Sequence, residues 1–398
     1  MASTGSMQGE NVIIFSGDDW ASGLKTSKYH LACQLARRNR VLFINSVGLR
    51  AVKASRRDLK RVFHKLTAFF RGAKRVPEGP YVFTPLAVPF FRGHPLVRCA
   101  NGLLIGASAR WLQFRLQLRD PIVFVFTTTF NDVIWTLRPK GVFYYCIDDL
   151  RSFAGLDVRW FDREEKRLLS RVDCAIACSQ ELHSSLSRKG CETWYVPHGV
   201  EWGLFRKAVA EDLPLPEDLK TVPEPRLGFY GLLTDEWVDF ALLNELAAAH
   251  PDWHVVLIGM PSATTDLSAL LTQPNIHYLG RKAFEELAAY TRHFSVGLVP
   301  FIVNDISRNC NPLKMLEYLS GGLPVVTTDI PEAHRYAPDV HVARSHAEFI
   351  ALCEHALTEC SPAERDRRSR AAEAHSWEGR VERICEIVSQ HLNRRAAS

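Results

Sequence analysis

The stretch Asn309-Cys-Asn-Pro-Leu-Lys-Met-Leu-Glu-Tyr-Leu-Ser-Gly-Gly-Leu-Pro-Val-Val326 decides the fold. Asn311 is a favoured helix N-cap and Pro312 a favoured first helical residue, so the pattern predicts a helix over residues 312–320. Two glycines end that helix, and an apolar strand over residues 324–327 follows. The stretch is therefore one helix–strand unit of an α/β protein.

The same alternation of strands and helices extends in both directions from this unit. In the first half we predict strands at 11–16, 41–45, 122–126, 142–146, 174–177 and 193–196, with helices at 160–170 and 180–188. In the second half we predict strands at 227–230, 254–258, 276–279, 296–300 and 324–327, with helices at 237–249, 283–293, 312–320, 347–359 and 362–374. Such alternation predicts parallel sheets with helices on both faces.

The length of 398 residues predicts about two domains. Residues 207–225 are rich in proline and charge, which is typical of a linker. We predict a first doubly wound domain over 1–206 and a second over 226–375. Two such sheets are expected to bind ligands at the carboxyl ends of their strands, in a cleft between the domains.

Composition excludes several classes of protein. The chain is 46% hydrophobic and 23% charged, with a net charge of +5, as in soluble globular proteins. No apolar run approaches the roughly 20 residues of a membrane span, and residues 1–10 lack the pattern of a signal peptide. The ten cysteines form no Cys-x-x-Cys pair, which favours reduced, buried thiols. We therefore expect a cytoplasmic protein.

The helix predicted over residues 312–320 carries a candidate anion site. Its N-terminal N–H groups and the positive end of its dipole point toward the cleft, and Lys314 adds a full charge in the first turn. Glu317 lies on the same face and is suited to accept hydrogen bonds from a ribose diol. This order matches the groups of a nucleotide sugar. The alternative is a solvated ion pair worth about 0.3–0.5 kcal/mol.

The block Asn311-Pro-Leu-Lys-x-x-Glu-Tyr-Leu-x-x-Gly-x-Pro-Val-Val resembles the donor-binding signature of GT-B glycosyltransferases. It is similar in particular to bacterial enzymes of exopolysaccharide and teichuronic-acid synthesis, in the glycosyltransferase family 1/4 group. Other pieces that match are Gly228-Phe-Tyr-Gly231, Trp253-x-x-Val-Leu-Ile-Gly259, Tyr278-Leu-Gly-Arg281 and Val296-Gly-Leu-Val-Pro300. The resemblance implies a GT-B fold whose last helix, over residues 376–398, crosses back to the first domain.

The resemblance also implies the roles of the donor-site residues. Tyr230 and Gly231 would lie beside the donor phosphates, although a tight turn alone also explains this glycine. Arg281 would flank the base, Lys314 would hold the diphosphate, and Glu317 would hold the ribose. Asn311 belongs to the same donor site, and no metal is expected. Asn309 stands where many retaining members carry a second Glu, which weakens a retaining interpretation.

Asp148 is the catalytic candidate in the first half. The segment Tyr144-Tyr-Cys-Ile-Asp-Asp-Leu150 resembles the region around the catalytic Asp of the xanthan glucuronosyltransferase family. On that match Asp148 is the general base of an inverting transfer, and the like charge of Asp149 is expected to raise its pKa. The alternative is that one of the two carboxylates caps the following segment. Adjacent carboxylates with no third ligand do not favour a metal site.

Two further segments suggest an acceptor and a surface. The loop before the first helix, with Asp19, Lys25 and Ser27, is placed to hold the phosphates of a lipid-linked acceptor. Residues 50–75 carry ten basic residues against one acid, interleaved with apolar residues at helical spacing. That pattern is typical of a basic amphipathic helix on an anionic membrane, and a second apolar and basic tract follows over residues 89–119. The alternative is a solvated helix packed on its domain.

We therefore expect a metal-independent bacterial glycosyltransferase that moves a sugar from a UDP or GDP donor to a lipid-linked saccharide. We expect it to act in cell-surface polysaccharide synthesis, peripherally bound to the inner face of the membrane. A modest charge and no recognition motif argue against nucleic acid. A GT-B-fold sugar-nucleotide epimerase and a non-catalytic sugar-nucleotide-binding module remain alternatives. A dehydrogenase lacks its Gly-x-Gly-x-x-Gly fingerprint after the first strand of either half.

Overall fold

The computed structural model describes residues 7–23, 25–47, 56–87, 95–152, 157–262, 265–268 and 270–397. The chain forms two compact units, one of Met1–Pro197 with Arg380–Ser398 and one of His198–Gly379. Across these described ranges, no helix has both the length and the apolar character needed to cross a membrane.

The first unit is built on a sheet whose described strands follow the order β3-β4-β2-β1-β5-β6-β7-β8. All neighbours pair in parallel except the short edge strand β3, which is antiparallel to β4. The strands are β1 (Asn11–Phe15), β2 (Arg40–Ile44), β3 (Lys74–Arg75), β4 (Tyr81–Phe83), β5 (Ile122–Val125), β6 (Gly141–Cys146), β7 (Cys174–Ala177) and β8 (Thr193–Tyr195). The central strands are buried, as expected for a sheet with helices on both faces.

The helices of the first unit connect these strands. They are α1 (Ser27–Ala36), α2 (Arg56–Phe70), α3 (Pro95–Arg115), α4 (Asn131–Ile134), α5 (Val158–Leu169) and α6 (Gln180–Arg188). Asp157 and Ser179 cap α5 and α6 through side-chain oxygens that accept from Trp160 N and Leu182 N.

The second unit has a parallel sheet in the order β11-β10-β9-β12-β13-β14. This is a doubly wound order in which the winding reverses between β9 and β12. In chain order its elements are α7 (Trp202–Phe205), α8 (Lys207–Ala210), β9 (Arg226–Tyr230), α9 (Phe240–Ala249), β10 (His254–Ile258), β11 (Ile276–Tyr278), α10 (Leu287–Arg292), β12 (Val296–Val299), α11 (Asp305–Asn309), α12 (Leu313–Ser320), β13 (Val325–Thr328), β14 (Val340–Ala343), α13 (His346–Leu357) and α14 (Pro362–Ala372). The last helix, α15 (Trp377–Ala397), begins in this unit and ends in the first.

The unit boundaries differ from the sequence-based ones. Residues 207–225 belong to the second unit, because Leu219 and Val222 are buried in its core. The first unit ends at Pro197 rather than 206, since Val200 and Phe205 also belong to that core. The returning segment starts at Arg380 rather than 376.

Candidate active site

The carboxyl ends of β9 and β12 meet where the winding of the second sheet reverses, which is where such sheets bind ligands. The loops that follow the two strands are joined by backbone hydrogen bonds. Asp239 N donates to Pro300 O at 2.8 Å, and Ile302 N donates to Trp237 O at 2.8 Å. The edge beside this point is therefore a fixed surface, and the sequence-predicted donor residues can be placed on it.

Lys314, in the first turn of α12, lies against the carboxyl end of β9. Its Nζ atom is 5.7 Å from the ring centre of Phe229 and 5.5 Å from that of Phe301. Gly231 lies directly under the side chain: a Cβ there would be 2.2 Å from Lys314 Cε and 2.9 Å from Nζ. Gly231 also has φ +154, a conformation that other residues rarely adopt. Its role is thus more specific than a tight turn, since its missing side chain makes room for the ammonium group.

A second glycine makes this approach possible on the neighbouring strand. Gly259, just after β10, has φ +147, and a Cβ there would lie 1.7 Å from Gly231 O. The Tyr278 hydroxyl donates to Gly259 O at 3.0 Å. Arg281 follows β11 at the same edge of the sheet, with an exposed side chain. Gly231, Lys314 and Arg281 therefore belong to the carboxyl edge of one sheet.

Glu317 lies one turn along α12 from Lys314, and the two charges influence each other. Burial lowers the pKa of Lys314, and Glu317 opposes this. Burial raises the pKa of Glu317 to about 7, while Lys314 and the neighbouring Tyr230 hydroxyl lower it. A solvated surface ion pair does not describe this arrangement, because desolvation is the dominant influence on both groups.

Tyr230 does not present its ring to solvent. It is buried, with its ring centre 4.6 Å from that of Tyr318, and its backbone N donates to the Tyr318 hydroxyl at 3.0 Å. The structure thus places Tyr230 beneath Glu317, where its hydroxyl acts on that carboxylate. Tyr318 and the rings of Phe229 and Phe301 are parts of the site that the sequence argument missed, although Tyr318 directly follows Glu317 on the helix.

Asn311 does not cap α12 as predicted. The helix begins at Leu313, and Pro312 is the N-cap residue with ψ 113, so the first helical residue is one position later. The Asn311 amide is buried and donates from Nδ2 to Glu332 Oε2 at 3.2 Å. Its side chain therefore fixes the start of the helix through Glu332, a buried carboxylate for which the sequence offered no spacing signal.

Asp148 follows β6 in the first unit. The turn is held by two thiols: Cys146 Sγ donates to Asp148 O at 3.6 Å, and Cys178 Sγ donates to Ile147 O at 3.1 Å. The Asp148 side chain is accessible to solvent, but surrounding protein desolvates the carboxylate enough to raise its pKa. Lys28 lowers this pKa, and Asp18 raises it.

The like charge that acts on Asp148 comes from Asp18 and not from Asp149, so that expectation was wrong. Asp149 accepts from Arg151 Nε at 2.7 Å and from Nη2 at 2.9 Å, and this two-pronged pair offsets its charge. Asp18 instead accepts from Lys28 Nζ at 2.8 Å. Asp148, Lys28 and Asp18 form a charged cluster that the sequence did not reveal.

The three residues assigned to the acceptor lie in or beside the loop before α1. Asp19 Oδ2 is 3.6 Å from Lys65 Nζ. Lys25 Nζ is 2.6 Å from the Tyr29 hydroxyl and 4.0 Å from the centre of its ring. Ser27 is the first residue of α1 and is buried. Asp19 and Lys25 remain partly exposed beside Asp18, but Ser27 does not face solvent.

The basic segment over residues 50–75 is only partly described. Its first residues, 50–55, lie outside the described ranges, as do the side chains of residues 56–62. The rest includes α2, on which Phe63 and Phe70 are exposed and Phe69 packs with its ring centre 5.8 Å from that of Phe83. The alternative interpretation, a solvated helix packed on its domain, requires Phe63 to be buried, and Phe63 is instead exposed.

Within the described ranges, His341, His355 and Glu359 form a group whose ligand atoms lie within 4.8 Å of one another. His341 is on β14 and His355 is in the last turn of α13, whereas the donor-site residues follow the ends of β9 and β11. This group is separate from the predicted donor site, whose positive charge comes from Lys314.

The sequence resembles known glycosyltransferases over part of its length. Residues 224–358 match the family model for Glycosyl transferases group 1. TuaH of Bacillus subtilis, named as a teichuronic acid biosynthesis glycosyltransferase, is 30% identical over 203 residues, which cover 48% of this chain and 50% of TuaH. The match thus spans about half the length of that relative.

Two solved structures match almost the whole chain at low identity. Sucrose-phosphate synthase from Thermosynechococcus elongatus has a TM-score of 0.68 at 16% identity, covering 98% of this chain and 100% of its own. HepE from Anabaena, in complex with UDP and glucose, has a TM-score of 0.65 at 13% identity, covering 96% of this chain and 99% of its own. The chain has the GT-B fold, and residues 224–358 of its second unit match the family model for glycosyl transferases group 1.

Proposed function

We propose that this protein is a glycosyltransferase that takes its sugar from a UDP or GDP donor bound at the carboxyl edge of the second sheet. One observation carries the proposal: Lys314 Nζ is held over Gly231, against two adjoining aromatic rings, in the first turn of α12. An ammonium and free helix N–H groups together bind a diphosphate. The likeness to HepE, which holds UDP and glucose, and to TuaH supports this assignment.

The roles of the donor-site residues follow from their charges. Lys314 gains a full counter-charge when a diphosphate arrives, which offsets the cost of its desolvation. Glu317, one turn further along the helix, hydrogen-bonds the ribose hydroxyls through its carboxyl oxygens. Arg281 is exposed after β11, two strands from β9 in the same sheet, and contacts the base. Lys314 then stabilises the nucleoside diphosphate as it leaves.

Asp148 is the proposed general base, and the transfer inverts the anomeric carbon. The acceptor oxygen forms a bond to that carbon as the bond to the phosphate oxygen breaks, and the electron pair leaves with the diphosphate. The hydroxyl proton passes to Asp148, whose pKa is raised toward the range useful for a base. Lys28, paired with Asp18, keeps the carboxylate ionised by opposing that rise.

We further propose that the transfer needs no metal, because Lys314 and the start of α12 supply the positive charge at the diphosphate. The acceptor is a saccharide on a lipid phosphate, bound near Asp19 and Lys25, whose loop precedes α1. The basic segment over residues 50–75 would keep the protein on the inner face of the cell membrane. TuaH, named for cell-surface polymer synthesis, supports a role in polysaccharide synthesis.

The test begins with donor binding and ends with product. A thermal-shift series is run over UDP, GDP, the sugar conjugates of both, and NAD. We expect stabilisation by a uridine or guanosine diphosphate and none by NAD. Turnover is then measured with a lipid-diphosphate saccharide, with and without EDTA. Chelation is expected to leave the rate unchanged. Conversion of donor in the absence of acceptor would instead identify an epimerase, and donor binding with no turnover on any acceptor would identify a binding module.

A further inference from the structure

Helix α3 presents apolar side chains to solvent at four positions from Leu96 to Phe114. Leu96 is 74% exposed, Leu103 70%, Trp111 53% and Phe114 85%. Since an α-helix has about 3.6 residues per turn, spacings of seven, eight and three residues place these four side chains on one face. Large apolar residues exposed singly are common, but a row of four on one helix marks an interaction surface. We call this the α3 stripe.

The opposite face of the helix anchors it to the first unit. Ile105, Ala109 and Leu112 are buried there. Arg110, beside the stripe, donates from Nη1 to Thr136 O at 3.1 Å, and Gln113 Nε2 donates to Leu137 O at 3.0 Å, so both flanks of the helix are also tied to the following segment. The α3 stripe is thus held outward by packing on the other side of the helix, and its exposure does not come from a frayed segment.

Arginines surround the far end of the stripe. Arg110, Arg115, Arg119 and Arg138 line one cavity of about 610 Å³ with Phe114, and among the described residues that line it Asp120 is the only carboxylate. Within the described part of the chain, none of the four forms an ion pair with a carboxylate. The Arg115 guanidinium lies 5.2 Å from the ring centre of Trp111. Aromatic and basic groups therefore share one surface.

We propose that the α3 stripe is the surface that inserts into an anionic lipid bilayer, with α3 lying in the plane of the membrane. The four apolar side chains enter the boundary between headgroups and acyl chains, and Trp111 sits at headgroup level. The arginines bind lipid phosphates around them. This rests on the proposed function and deepens it: the basic segment over residues 50–75 attracts the protein to the anionic surface, and α3 supplies the side chains that insert.

The positive charge around the α3 stripe favours an anionic bilayer over a second copy of the chain and over nucleic acid. A second copy of the chain docked on the same face would bring four arginines against four arginines, which is unfavourable. Nucleic acid offers phosphates but no apolar layer for leucine side chains, so it leaves the stripe exposed. A bilayer rich in anionic lipid supplies phosphate charge for the arginines and, directly beneath it, an apolar layer for the α3 stripe.

Vesicle sedimentation tests the proposal without donor or acceptor, so its result is independent of catalysis. The full-length protein is mixed with phosphatidylcholine vesicles, with or without phosphatidylglycerol. The parent is expected to bind the anionic vesicles preferentially. The Trp111→Ser/Phe114→Ser and Arg115→Gln/Arg119→Gln variants are each expected to bind at least about tenfold more weakly. UDP binding and melting temperature confirm that each variant is folded.

A matched variant on α2 decides between the two helices. Phe63→Ser/Phe70→Ser removes two equally exposed aromatic residues from the predicted basic segment and is expected to retain most vesicle binding. Undiminished binding by the α3 variants, or loss only in the α2 variant, overturns the proposal. It is also overturned if the parent is a dimer by light scattering and Trp111→Ser/Phe114→Ser makes it a monomer, since the stripe would then be an interface between copies.

Discussion

The Lys314 side chain crosses the backbone of Gly231 so closely that a Cβ on Gly231 would lie 2.2 Å from Lys314 Cε. The ammonium group therefore keeps its place against the rings of Phe229 and Phe301 only while residue 231 has no side chain. This relationship joins two residues 83 positions apart in the sequence and underlies the first two predictions.

Gly231→Ala is expected to displace Lys314 and weaken UDP binding at least about tenfold, because the new methyl group overlaps the lysine side chain. The positive φ adds strain, so the melting temperature should also fall. Calorimetric titration with UDP measures the affinity. Gly203→Ala is the matched control, since nothing lies within 4 Å of a Cβ there. Equal affinity of parent and Gly231→Ala would remove Lys314 from the donor site.

Lys314→Ala is expected to weaken UDP binding by about 1.5–3 kcal/mol, the cost of a lost charged hydrogen bond. It should not destabilise the free protein strongly, because the lysine is desolvated there and its pKa is lowered. Isothermal titration and thermal unfolding measure the two effects. Lys220→Ala, which removes an exposed lysine of the same unit paired with Glu217, serves as control. A variant that binds UDP like the parent contradicts the assignment.

Asp148→Asn is expected to leave UDP affinity unchanged while reducing turnover by about 10²-fold or more, as for a lost general base. In the parent, turnover should fall as the pH drops through the raised pKa of Asp148, because the base must be ionised. Asp149→Asn is the control. Asp149 pairs with Arg151, so its loss should affect the melting temperature more than the pH profile. Near-normal turnover of Asp148→Asn with an acceptor would reject the mechanism.

The raised pKa of Glu317 predicts that the stability of the protein depends on pH. Its pKa in the folded protein is raised from 4.5 to about 7, so between these values the folded state binds more protons than the unfolded state. The free energy of unfolding should therefore fall as the pH rises from about 4.5 to 7, by about 1–3 kcal/mol from this group. Glu317→Gln removes this contribution. Urea titrations of both proteins across that range measure the difference, and parallel curves would show that the pKa of Glu317 is not raised.

The placement of Lys314 and Glu317 on one helix was predictable because its signals are local. Lys314 and Glu317 are one turn apart on a helix whose start and stop residues are visible in the sequence. Helix α12 nevertheless begins at Leu313, one residue after the predicted start, because the Asn311 side chain bonds to Glu332 instead of capping the helix. That partner lies 21 residues away on another segment, which no helical pattern reveals.

The first unit was harder to predict because its site depends on tertiary contacts. Asp18 and Asp148 are 130 positions apart and become neighbours only through the order β1-β5-β6. The Asp149–Arg151 pair, in contrast, spans two residues, and a local argument was available for it. The strands β3, β4 and β14 were missed because they are short, with two, three and four residues.

Helix α3 was identified only as an apolar and basic tract. Its apolar side chains occupy both the buried and the exposed face, so the usual contrast between a core side and a polar side is missing. Gly102 and Gly106, which lie close to Asp132 and Thr136, further weaken the helical signal. The apolar residues on the outer face of α3 therefore weaken the amphipathic pattern in the sequence, and the same residues form the exposed α3 stripe in the structure.

The desolvated pair of Lys314 and Glu317 has a consequence for calorimetry. A nucleoside diphosphate placed beside the pair strengthens the proton affinity of both groups, because its negative charge favours the ammonium form and disfavours the carboxylate. Donor binding should therefore take up protons from solution near neutral pH. The heat released on binding will then vary with the ionisation enthalpy of the buffer, and the slope of that variation counts the protons gained.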